Sequence, residues 1–118
     1  WHRHARNHQA LAAGLEVLGL SLIVDEEFRL PQLNAVGFPD SVDDASVRAA
    51  LLNDYNLEIG SGLGSLAGKV WRIGLMGFAS NKKNVIFCLS ALANVLSSMN
   101  VVADGAKAVA AAESVYIS

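Results

Sequence analysis

A chain of 118 residues has room for one compact domain with a modest core. Hydrophobic residues make up 53% of it and charged residues 17%, below the roughly 25% charged content usual in soluble proteins, so some apolar surface is expected to lie against something outside these residues. Nine basic and eleven acidic residues give a net charge of −2 without a basic stripe, which argues against nucleic acid or an anionic membrane surface as a partner.

The sequence opens on Trp1 and then runs at once into "HRHARNHQALAAGLEVLG", which reads as helix from its start, so it is expected to begin inside a longer protein. Leu11, Leu15 and Leu18 recur at helical spacing among alanines, and Gly19 is placed to end the helix in a left-handed conformation. The spacing predicts a helix over 2–18. "LSLIV" (20–24) and "PQLNAVGF" (31–38) follow as two short strands, interrupted by Asp25, Glu26 and Glu27 and expected to pair antiparallel. Ser41 with Asp44 three residues on resembles a capping box for a second helix over 44–55, with Val47, Ala50, Leu51 and Tyr55 on one face. "LEI" (57–59) reads as a brief third strand, and a glycine-rich loop over 60–68 leads into "KVWRIGLM" (69–76), whose composition suits a central strand. Ser80 is expected to cap a long helix with Val85, Leu89, Leu92 and Leu96 as its apolar stripe. The alanine-rich segment 101–118 reads as a final helix or a loosely held tail. The expected fold is α+β: a small mixed or antiparallel sheet of about four short strands with helices on one face, in the order α-β-β-α-β-β-α. No apolar run approaches the ~18 residues of a membrane span, and no charged-then-apolar leader opens the sequence.

Few residues are arranged for chemistry. Five residues separate Gly62 from Gly68 and Val70 stands where a phosphate loop needs a hydroxyl, so the glycines read as a tight connection requiring positive φ rather than as a phosphate cradle. His4 and His8 are four apart on the first helix, but Arg3 and Arg6 would repel a cation and no third ligand stands nearby, which favours a solvated face over a metal site. Cys88, the single cysteine, has no disulfide partner and sits in an apolar helical pattern, as a core residue in a reducing, cytoplasmic setting would. Asp43 and Asp44 open a helix, where they complement its dipole rather than do acid-base work. Arg72 is different. Strand alternation sets Trp71, Ile73 and Leu75 on one face and Val70, Arg72, Gly74 and Met76 on the other, with Gly74 leaving room beside the guanidinium. A guanidinium in such a run must be paired. Either Glu58 on the third strand is its partner, or the partner is the carboxylate or phosphate of a ligand, gripped bidentately.

"HQALAAGLEVLGL", "RLPQLNAV" and "LEIGSGLGSLAGKVWRIGLMGFASNKKNV" closely resemble the C-terminal domain of the alanine–glyoxylate (serine–pyruvate) aminotransferases, fold type I pyridoxal-phosphate enzymes of the class V aminotransferase group. The resemblance covers roughly residues 1–100, which it identifies as the family's small domain, leaving 101–118 as an alanine-rich helix or tail. It implies that the large cofactor-binding domain lies upstream, that the functional unit is a homodimer using pyridoxal 5'-phosphate, and that Arg72 matches the arginine binding the substrate's α-carboxylate; a cytoplasmic setting is the default expectation, since the terminal "YIS" is not the usual peroxisomal tripeptide. It places the family's Schiff-base lysine and cofactor-holding residues upstream as well; Lys69, Lys82, Lys83 and Lys107 match none of them. A fragment so placed is expected to bind no cofactor and to be inactive alone. The implied reaction moves an amino group from alanine or serine to glyoxylate or another 2-oxo acid. One departure is Ser61, where many relatives have glycine. The alternative is a non-catalytic α+β domain that senses a small anion through Arg72 or serves as an interaction module.

Overall fold

The computed structural model describes residues 2–23, 33–62, 68–74 and 81–117. Eight elements follow in order: α1 (His2–Val17), β1 (Ser21–Ile23), β2 (Leu33–Gly37), α2 (Asp44–Tyr55), β3 (Gly60–Ser61), β4 (Val70–Gly74), α3 (Lys82–Ser98) and α4 (Gly105–Ile117). The expected α+β order is present with one further helix, α4, in the segment that composition left between helix and tail.

Each helix ends for a local reason. At the end of α1, Gly19 takes φ +81°, and its N–H bonds to the Glu16 carbonyl while that of Leu20 reaches back to Leu15 at 2.9 Å, a left-handed stop that glycine adopts without a Cβ penalty. The cap of α2 is Asp43 rather than Ser41: its carboxylate accepts from the Ser46 N–H and from Ser46 Oγ at 2.9 Å. Asn56 closes the same helix at φ 53°. Helix α3 is capped by Asn81, whose Oδ1 accepts from the Asn84 N–H at 2.9 Å; the expected cap, Ser80, lies outside the described residues.

The four strands form one antiparallel sheet in the order β1-β2-β4-β3. The third strand falls at 60–61 instead of 57–59. Leu57 gives its N–H to the Leu51 carbonyl as part of the α2 stop, and Leu57 and Ile59 are buried in the core, so ladder pairing with β4 begins at Gly60. Trp71 and Val36 are register partners, both fully buried, in one apolar cluster with Leu11, Leu15, Val47, Leu51 and the Val85, Leu89, Leu92, Leu96 stripe of α3. Burial of that stripe, several kcal/mol by area, ties α3 into the cluster that the sheet residues Val36 and Trp71 share. Helix α1 approaches α3 closely because residue 14 is glycine: a Cβ there would overlap Leu89 Cδ1 and lie 3.0 Å from Leu89 Cγ.

Helix α4 is docked rather than loose. Ala108 and Ala112 are fully buried, Tyr116 Oη donates to Asn7 Oδ1 at 2.7 Å, and Arg6 donates to the Tyr116 carbonyl. Asn7 is the buried polar side chain among the described residues, and its hydrogen bonding across α1 and α4 makes that burial tolerable.

Candidate functional site

Arg72 sits at the middle of β4, an interior strand, with Ala35 of β2 on one side and Gly60 of β3 on the other. Trp71, one residue earlier, points to the helix-packed face. Its ring stacks on Phe38 with centroids 4.3 Å apart, and its Nε1–H donates to Asp44 Oδ1 at 2.7 Å. Alternation then turns Arg72 to the opposite face, where it is half-buried.

The guanidinium lies against β3. Its Nε–H donates to the Ser61 carbonyl at 2.7 Å. A Cβ on Gly60 would stand 3.1 Å from Nη2 and 3.4 Å from Cζ and Nε, so the space the side chain uses is the space a larger residue at 60 would fill. The sequence sets Gly74 beside Arg72 on the same face; across the ladder the neighbour that leaves room is Gly60. Glu58 is exposed and precedes the paired part of β3. Arg48 and Asp44 form an ion pair at 2.9 Å, and among the described residues none reaches Arg72. Its charge is therefore met there by one neutral carbonyl, which leaves the bidentate fork available to an anion.

Asp44 holds the strand from behind. It receives Arg48 Nε at 2.9 Å and Nη2 at 3.3 Å besides the Trp71 indole. The Arg48 hydrogen bond keeps its carboxyl below the ordinary 3.8, with the Trp71 N–H acting the same way against the opposing effect of burial. From residue pattern alone Asp44 reads only as part of a helix start. Its i,i+4 spacing to Arg48 was readable; the bond to Trp71, 27 residues away, was not.

The side chain of His4 lies outside the described residues, and His8 is partly buried. Cys88 is fully buried and burial pushes its thiol up to about 12, so it is a small apolar residue rather than a nucleophile. No group of three or more His, Cys, Asp or Glu that could hold a metal occurs among the described residues. Gly68 has φ +77°, the positive φ expected in the loop; residues 63–67 of that loop lie outside the described residues. All four lysines are exposed. No described helix is long and apolar enough to cross a membrane.

No protein-family model matches the chain. It is 42% identical over 98% of its length to the (S)-ureidoglycine–glyoxylate transaminase of Bacillus subtilis, of which it spans 28%, and 37% identical over 81% of its length to the alanine–glyoxylate aminotransferase of Callithrix jacchus, of which it spans 23%. The crystal structure of the Bacillus subtilis ureidoglycine–glyoxylate aminotransferase superposes with a TM-score of 0.88 over 99% of this chain and 30% of that one, at 42% identity. That of pyridoxamine–pyruvate aminotransferase from Mesorhizobium loti gives 0.87 over 99% of this chain and 30% of that one, at 32% identity. In sequence and in fold, the chain matches the C-terminal domains of the class V aminotransferases and shares their α+β architecture.

Proposed function

We propose that this chain is the substrate-carboxylate-binding part of a pyridoxal 5'-phosphate-dependent aminotransferase that moves an amino group from alanine or serine to glyoxylate or another 2-oxo acid. The observation that carries the reading is Arg72, a half-buried guanidinium tied only to a backbone carbonyl among the described residues. Glyoxylate and pyruvate, named for its relatives, both bear the carboxylate such a fork accepts. Residues 1–100 would be the small domain with α4 docked on it. The rest of the enzyme would be a larger upstream domain, in a cytoplasmic homodimer.

The Arg72 fork suits a carboxylate, and on this reading, with none of the four exposed lysines taking part, the cofactor would be held by residues upstream. Bound there, it supplies an electrophilic carbonyl and an electron sink. Arg72 contributes position: it grips the α-carboxylate, fixes which bond at Cα faces the reacting group, and rejects amines that lack a carboxylate. Arg72→Lys in the full-length enzyme is expected to raise KM for the amino acid and lower kcat/KM about 100-fold, as loss of a bidentate charged pair would. Steady-state constants within threefold of the parent would refute the assignment.

A further inference from the structure

The direction from which Arg72 can be approached is set by β3. A guanidinium has two edges that can take a carboxylate bidentately: the side edge, Nε with Nη2, and the end edge, Nη1 with Nη2. At Arg72 the side edge is occupied, because Nε–H is given to the Ser61 carbonyl at 2.7 Å and Nη2, Cζ and Nε lie over the Cα of Gly60 within 3.1–3.4 Å of where a Cβ would stand. We infer that Gly60 and the Ser61 carbonyl are positioning elements that hold Arg72 as an end-on fork, presenting Nη1 and Nη2 to a monocarboxylate. The inference rests on the carboxylate reading above and adds to it the residue that fixes the geometry.

Two features make this a property of the strand and not of one rotamer. Gly60, on the edge strand β3, is the register partner of Arg72 on the interior strand β4, so relieving the contact by sliding β3 breaks its pairing with β4. The acceptor is a backbone carbonyl, so the tie is indifferent to the side chain at position 61. A methyl group at 60 would push the guanidinium outward by a few tenths of an ångström, lengthen the Nε–O bond and free the side edge.

Calorimetric titration of the full-length protein with propionate, and with uncharged propionamide as its isostere, tests the inference. Gly60→Ala is expected to weaken propionate about tenfold, the loss of roughly one hydrogen bond's worth of alignment. Propionamide should stay within twofold, and Ser61→Gly, which keeps the carbonyl, should bind propionate like the parent. Equal propionate affinity in the parent and Gly60→Ala overturns the role of Gly60. A parent that binds propionate no better than propionamide overturns the carboxylate reading instead. A crystal structure of the parent with propionate decides the point even if the variant does not fold: oxygens on Nη1 and Nη2 with Nε still on Ser61 support the end-on fork, and a carboxylate on Nε and Nη2 overturns it.

Discussion

Removing the Asp44 carboxylate tests how β4 is held. Asp44 accepts from the Trp71 indole at 2.7 Å and from Arg48 at 2.9 and 3.3 Å, and its side chain is 16% exposed while that of Arg48 is 33% exposed. In Asp44→Ala the indole N–H, on a fully buried ring, is left without this acceptor, which costs about 1–3 kcal/mol. The partly exposed i,i+4 ion pair adds only about 0.5 kcal/mol. The expected loss is about 2–3 kcal/mol, a urea midpoint lower by ~2 M for a domain of this size. Asp44→Asn keeps an acceptor and should lose about 1 kcal/mol, and Arg48→Ala less than that.

The pH dependence follows from the direction of the shift. The folded pKa of Asp44 lies below its ordinary 3.8, so its contribution is complete above that value and is lost as pH falls through the folded pKa. The gap between the parent and Asp44→Asn should stay constant from about pH 8 to 5 and close below about pH 4. Urea unfolding followed by tryptophan fluorescence at a series of pH values measures both quantities. An Asp44→Ala protein within about 0.5 kcal/mol of the parent, or a gap that persists undiminished to about pH 2, would refute the reasoning.

Gly14→Ala should destabilise by about 1–3 kcal/mol, because the added Cβ meets the buried Leu89 side chain and neither helix can yield without repacking; thermal unfolding reads this directly, and an unchanged Tm counts against the close α1–α3 contact. Tyr116→Phe removes the hydroxyl donor to Asn7 Oδ1 and should cost about 1 kcal/mol. Its amide exchange should quicken mainly in α4, so uniform acceleration across the sheet would contradict the docking described.

The elements whose apolar period matches their geometry were legible in the sequence. The stripe of α3, the face of α1 and the span of α2 are all where spacing put them, because burial of one face decides a helix before anything distant does. The third strand was misplaced because Leu57 and Ile59 carry strand-like chemistry yet are used for core contact and the end of α2, a competition between elements that local pattern cannot weigh. The helix caps were misassigned by one or two residues for a related reason: Ser41, Asp43, Ser80 and Asn81 are all competent oxygen acceptors, and only the entry angle of the chain selects among them. At the site, Arg72 stood out as a charge inside an apolar strand. Its surroundings did not, since a backbone carbonyl and a glycine's missing Cβ leave almost no mark in a sequence.

The neighbouring pair Trp71 and Arg72 also bears on how the sheet assembles. If β4 slipped by one position against β2 and β3, the indole would turn to the outer face and the guanidinium would be driven into the cluster around Val36 and Leu89. That exchange would bury an unpaired charge and strip the core of its largest ring, a penalty of many kcal/mol on both counts. The tryptophan thus acts as a proofreading device for its neighbour: a molecule that closes its core correctly has, by the same alternation, already turned the Arg72 guanidinium to the opposite face.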